Sequence, residues 1–127
     1  MMDERSVTIN FGGEEHKLVL TTRATMEIAE KYGGIDNFGD KLLAARDMET
    51  ALPELCWLVS VLANQGIAIH NLKNPDNKKP SITAEDVELL TTPADVFELR
   101  PAVLTAITLG MKRNILSEDE GKNPQGE

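Results

Sequence analysis

Residues 55–69, LCWLVSVLANQGIAI, decide the fold because no charged side chain interrupts them. A helix formed by this stretch is apolar on nearly every face, and such a helix normally lies in the centre of a core. The stretch predicts a core helix that begins near Thr50 and has Pro53 in its first turn. Trp57 is expected to be buried against its neighbours and the last helix. The run is shorter than the roughly 20 residues of a membrane span, so no membrane helix is predicted.

The segment before it, residues 5–20, predicts a β-hairpin. Val7, Ile9 and Phe11 alternate with polar residues, which is the period of a half-buried strand. Gly12-Gly13 can form a two-residue turn because both positions tolerate a positive φ. The expected register pairs Phe11 with Glu14, Ile9 with His16 and Val7 with Leu18. Two strands alone are marginal in water, so helices must cover their apolar face.

Two helices are predicted between the hairpin and the core helix. The first begins at Thr21-Thr22, which are good N-cap residues, and ends at Gly33-Gly34, where glycine tolerates a left-handed cap. Its inward face carries Ala24, Ile28 and Tyr32. The second runs from Asp36, as its cap, to Arg46.

Two further helices are predicted after a polar loop at residues 70–80. Thr83 is expected to be the N-cap of the first, with Asp86 as its third helical residue, and Ile82 and Val87 have the spacing of a hydrophobic staple. Thr92 caps the last helix, and Pro93 takes its first position. Pro101 is expected to kink this helix or to start another, because it lacks an N–H and crowds the preceding turn.

Together these elements predict one α+β domain over residues 1–116, as expected for a chain of 127 residues. The hairpin at 5–20 packs against a bundle of about five α-helices that extends to about residue 115. Residues 117–127, SEDEGKNPQGE, are polar and are predicted to be a disordered acidic tail.

The charge balance excludes several classes of function. Lys and Arg number 13 against 21 Asp and Glu, a net charge of -8. This balance repels phosphates, so neither nucleic acid nor an anionic membrane surface is an expected partner. Cys56 is the single cysteine, so an oxidising compartment is not implied. The polar start, MMDERS, does not resemble a signal peptide, and a cytoplasmic location is expected.

Sequence signals of catalysis are missing as well. The chain has no phosphate-binding glycine motif, no H-E-x-x-H and no G-x-S-x-G. His16 and His70 have no second ligand at metal-binding spacing. Cys56 lies in the most apolar stretch, where a buried and inert thiol is expected. A protein without enzymatic activity, cofactor or metal is therefore predicted.

The uncharged segment Pro101–Met111, PAVLTAITLGM, allows two interpretations. It is either a second core helix or, in part, a surface that binds another protein. The second interpretation arises because the apolar surface of two nearly all-apolar helices exceeds what a small domain can cover. In the second interpretation, the contacts are made by Val103, Leu104, Ile107 and Met111, and Asp95 and Glu98 form an acidic rim.

The order of these elements resembles the tail assembly chaperones of long-tailed bacteriophages. The residues that carry the resemblance are KLVLTTRATMEIAEKYGG (17–34) and SITAEDVELL (81–90), within a match from about Ser6 to Asn114. The resemblance implies a non-enzymatic protein of the host cytoplasm, absent from the mature virion. Its partners would be the tape measure protein, which it keeps soluble, and the tail tube protein, which it helps to recruit. Self-association stays open.

Two other classes stay open on the sequence. A structural tail completion or connector protein would remain in the particle and form rings. A small acidic regulator would bind a basic protein, with an affinity that falls steeply as salt is added.

Overall fold

The computed structural model describes residues 5–34 and 48–111. In these residues a two-stranded antiparallel sheet is followed by four helices, so the predicted α+β class is confirmed. The strands are β1 (Val7–Phe11) and β2 (Glu14–Leu18), and the helices are α1 (Thr22–Tyr32), α2 (Met48–Lys73), α3 (Ala84–Leu90) and α4 (Pro93–Gly110).

The expected count of about five helices is not confirmed, since the described residues contain four. The helix predicted from Asp36 to Arg46 lies outside the described residues. So do the predicted tail at 117–127 and the expected end of the domain near residues 115–116.

The hairpin forms in the predicted register. Val7 pairs with Leu18, Ile9 with His16 and Phe11 with Glu14. Gly12 and Gly13 have φ of 63° and 79°, the left-handed values that a type I′ turn requires. On the inner face, the imidazole of His16 stacks on the ring of Phe11, with centroids 4.0 Å apart.

Helix α1 begins and ends where the sequence predicts. The side chain of Thr21 accepts a hydrogen bond from the N–H of Ala24 at 3.0 Å, and Gly33 closes the helix with φ of 79°. Ala24, Ile28 and Tyr32 are buried, as expected for the inward face. The Thr21 hydroxyl also donates to the side-chain oxygen of Gln65 on α2, which gives this buried oxygen a partner.

Helix α2 is the central element of the structure. Leu55, Leu58, Val59 and Leu62 have no exposed surface. The helix packs against β2, α1, α3 and α4. It begins at Met48, so Pro53 is its sixth residue and not part of the first turn.

Helix α2 also continues to Lys73, and the predicted loop at 70–80 therefore starts at Asn74. Side chains from the last turns of the helix hold that loop. Asn71 accepts from the N–H of Lys79 at 2.8 Å and donates to its carbonyl at 3.0 Å. A ring nitrogen of His70 lies 2.9 Å from the carbonyl oxygen of Asn77. His70 thus has a structural role in the loop.

Both predicted N-caps of the last two helices are present. Thr83 forms a capping box with Asp86, and Thr92 forms one with Asp95. Pro101 lies inside α4, which continues from Pro93 to Gly110 without ending there. Of the two alternatives expected for Pro101, the start of another helix is ruled out, because one helix continues through this position.

Trp57 is only partly buried, which corrects the expectation of a fully buried ring. Its ring makes an edge contact with Tyr32 of α1, with centroids 6.1 Å apart. The ammonium of Lys31 lies 4.9 Å from the centre of the Trp57 ring, a distance suited to a cation–π interaction. The indole therefore lies at the junction of α1 and α2, partly exposed.

Among the described residues, one helical stretch, Ala51–Lys73, has the length and hydropathy of a membrane span. Half of its most apolar window is buried inside the protein, and the core helix of a soluble domain meets the same two criteria. Its packing against four other elements accounts for its apolar composition.

The free edge of β2 rests directly on α2 at Gly66. The N–H of Val19 donates to the carbonyl of Leu62 at 3.2 Å, and a Cβ added to Gly66 would lie 2.7 Å from the carbonyl oxygen of Lys17. That distance is too short for a real Cβ, and the opposing oxygen belongs to the backbone, so it cannot move aside as the end of a flexible side chain could. Glycine is therefore required for this helix and strand to touch.

We predict that Gly66→Ala lowers the free energy of unfolding by about 1–3 kcal/mol, because overpacking displaces the strand. The sign is diagnostic, since alanine in place of glycine ordinarily stabilises a helix interior by roughly 0.5–1 kcal/mol. Urea unfolding followed by circular dichroism measures the change. Ala68→Gly, at an exposed position of the same helix, is the control for helix propensity. A more stable Gly66→Ala protein would contradict the close contact.

Candidate interaction surface

Helix α4 buries one stripe and leaves a second, uncharged face outside. The buried stripe consists of Val96, Leu99, Val103, Ala106 and Ile107. It packs on α2 and on the hairpin. Val96, Leu99, Val103 and Ile107 follow one another at intervals of three and four residues, the spacing of side chains that share one face of a helix.

This packing corrects part of the predicted partner surface. Val103 is completely buried and Ile107 is 6% exposed, so neither can reach a partner while the domain is folded. Leu104 is half-buried against the core, and Met111 is 55% exposed. Residues 101–111 are thus core in part, as the first interpretation has it, and exposed in part.

The exposed side of the second half of α4 is named here the α4 outer face. It contains Pro101, Thr105, Thr108 and Met111, which are exposed, with half-buried Leu104 between them. No charged residue occurs from Pro101 to Met111. A solvent-facing helix surface normally carries charges, so the α4 outer face is unusual in its chemistry.

The two predicted rim residues have different roles. Both are exposed. The carboxylate of Asp95 accepts a hydrogen bond from the N–H of Thr92 at 3.0 Å, and its own N–H donates to the Thr92 hydroxyl at 3.2 Å. Asp95 therefore begins the helix as part of a capping box. Glu98, one turn further on, does not cap the helix. It is the acidic residue nearest in sequence to the α4 outer face.

A second exposed apolar group was not predicted from the sequence. Leu89 is 75% exposed and Leu90 is 52% exposed at the end of α3, immediately before the cap of α4. The side chain of Leu90 lies over the hairpin turn, 3.1 Å from where a Cβ on Gly12 would be. A signal in the sequence is the pair Leu89-Leu90, because adjacent residues of a helix do not share a face, so one buried face cannot hold both.

A cleft of about 960 Å³ lies between β2, the end of α2 and the following loop. It contains both histidines and the lysines Lys17, Lys73 and Lys79. Within residues 5–34 and 48–111, no group of three or more His, Cys, Asp or Glu side chains could hold a metal ion. The cleft therefore supplies no ligand set for a metal.

Cys56 is buried and poorly suited to nucleophilic chemistry. Burial, and then the negative charge of Glu88, raise the pKa of its thiol above the ordinary value. Both effects disfavour the thiolate, which is the reactive form.

The chain matches no protein-family model, no curated protein and no solved structure.

The capping role of Asp95 yields a prediction about stability. Asp95→Ala should lower the free energy of unfolding by about 0.3–1.5 kcal/mol, because it removes half of a capping box. Glu98→Ala, the matched control, should stay within about 0.5 kcal/mol of the parent protein, because the residue is exposed and caps nothing. Urea unfolding of both variants measures the difference. Equal effects would contradict the assignment of separate roles.

Tyr32 gives the protein a predicted sensitivity to alkaline pH. Burial raises its pKa above the ordinary value of 10.0, and the hydrogen bond that its hydroxyl donates to Glu54 and the charge of that carboxylate raise it further. The folded state thus retains the proton more tightly than the unfolded state. The resulting stabilisation is complete below the ordinary tyrosine pKa near 10 and decreases as the pH rises beyond it.

We expect Tyr32→Phe to show a shallower loss of stability above about pH 10 than the parent protein. Urea unfolding across that pH range tests this. Tyr32 is the single tyrosine of the chain, so tyrosinate ultraviolet absorbance reports its ionisation directly. A native midpoint at the ordinary value would contradict the proposed shift.

Proposed function

We propose that this protein is a non-enzymatic tail assembly chaperone of a long-tailed bacteriophage. It binds the tape measure protein through the α4 outer face, keeps that partner soluble and helps to recruit tail tube subunits. The observation that carries the proposal is an exposed helix face without charge on a domain that is otherwise strongly acidic.

The chemistry of the α4 outer face suits a long helical partner. Leu104 and Met111 offer aliphatic contact, and the threonines offer small side chains that let a second helix approach. Methionine surfaces repack readily, so one face can bind many similar apolar stripes along a long protein. A tape measure protein presents such stripes before the tube forms around it.

The acidic balance supports the same partner. The net charge of -8 keeps the free chaperone soluble, and Glu98 lies one turn before the uncharged face begins. Acidic residues beside an apolar face favour partner segments with basic flanks and increase the rate of encounter.

The resemblance of residues 17–34 and 81–90 to tail assembly chaperones supplies the identity of the partner. In this proposal the protein acts in the host cytoplasm and does not enter the mature virion. Mass spectrometry of purified particles tests the second point. Stoichiometric recovery of this chain from virions would instead indicate a completion or connector protein.

Met111→Gln is the variant that tests the surface. We expect it to weaken the complex with the tape measure protein by about tenfold or more, because it removes an exposed apolar anchor. Co-expression of the two proteins, followed by the soluble yield of the partner and its co-purification, measures the loss. The variant should fold normally, because its side chain is 55% exposed.

Met26→Gln is the matched control, since Met26 is 67% exposed on α1, a different helix that packs on α2. It should bind as the parent does. Thr105→Arg, which adds bulk at an exposed position of the same face, provides a second test that removes no apolar contact. If the tape measure protein is equally insoluble with and without this chain, the proposal fails. If both methionine variants bind normally, the assigned surface is wrong.

A further inference from the structure

The outer edge of β1 has backbone hydrogen-bonding groups that are directed away from the hairpin. In a two-residue hairpin the pair next to the turn exchanges both of its hydrogen bonds, and every second pair repeats this pattern. Phe11, Ile9 and Val7 therefore bond to β2. The N–H and C=O groups of Thr8 and Asn10 point outward, and among residues 5–34 and 48–111 no third strand meets them.

The two edges of this hairpin differ in how well they are protected from pairing with a further strand. The edge of β2 carries Glu14, Glu15 and Lys17 and is covered by α2 at Gly66. The sequence of β1, VTINF, contains no charge and no proline, and its pairing shows no bulge. Soluble proteins normally protect an exposed edge with one of these devices. An edge that has none of them is suited to pairing with another strand.

We propose that β1 pairs with β1 of a second copy of this chain, which makes a continuous four-stranded antiparallel sheet. The two-fold axis passes through Ile9, so Thr8 of one copy lies opposite Asn10 of the other. Each such pair exchanges two backbone hydrogen bonds, which gives four across the junction. The inference is independent of the proposed function, and either can fail alone.

A second copy fits this edge because the edge is complementary to itself. In the register centred on Ile9, two small exposed polar side chains, Thr8 and Asn10, face each other in both pairs, with no like charges opposed.

The first test is the mass of the full chain in solution. Light scattering over a range of concentrations should approach twice the chain mass of 14.0 kDa. The double variant Thr8→Lys/Asn10→Lys places lysine opposite lysine at both pairs and should be monomeric, because like charges directly across strands destabilise a sheet. Asn77→Lys, in the exposed loop after α2, is the control and should dimerise as the parent does.

Charge reversal makes the test specific for this register. Thr8→Glu/Asn10→Glu should also be monomeric alone, and its mixture with the lysine variant should form a mixed dimer. Circular dichroism verifies that each variant is folded. A parent protein that stays monomeric at every concentration overturns the proposal, and so does a lysine variant that still dimerises. Failure of the two monomeric variants to pair with each other overturns the register.

Discussion

The structure depends on the burial of one uncharged helix. Between Leu55 and Ile69 helix α2 carries no charged side chain and is apolar over most of its surface, so other elements must cover most of it. The hairpin covers it through β2, α4 lies along it, and α1 and α3 complete the enclosure. At about 25 cal/mol per Å² of apolar surface, this burial is the main favourable contribution to folding. The side-chain oxygen of buried Gln65 accepts a hydrogen bond from the Thr21 hydroxyl, which links α1 to α2.

Close packing around α2 relies on two glycines as much as on apolar side chains. Gly66 lets the edge of β2 touch the helix, and a Cβ on Gly110 would lie 2.4 Å from the Cβ of Leu20. The contact at Gly66 has a consequence for the sheet. Helix α2 covers the β2 edge of the hairpin there, so β1 provides the open edge at which a further strand can pair. The sequence of β1 contains no charge and no proline that would oppose such pairing.

The surface of the domain divides into polar and uncharged regions for a related reason. Helix α4 carries more apolar residues than one buried stripe can hold, and the surplus forms the α4 outer face. Acidic side chains elsewhere preserve solubility, and two of them, Asp86 and Asp95, also cap helices. Cys56 lies in the interior of the domain, where burial and the charge of Glu88 raise the pKa of its thiol.

The sequence by itself determined the features that depend on neighbours along the chain. The hairpin register, the caps at Thr21, Thr83 and Thr92, and the central position of α2 follow from turn chemistry, capping spacing and the absence of charge. Only the tertiary structure decided which apolar side chains remain outside. Val103 and Met111 have similar hydrophobicity, yet one is completely buried and the other is 55% exposed. The difference arises because α2 and the hairpin, distant in sequence, cover only one side of α4, and periodicity alone cannot show how wide that cover is.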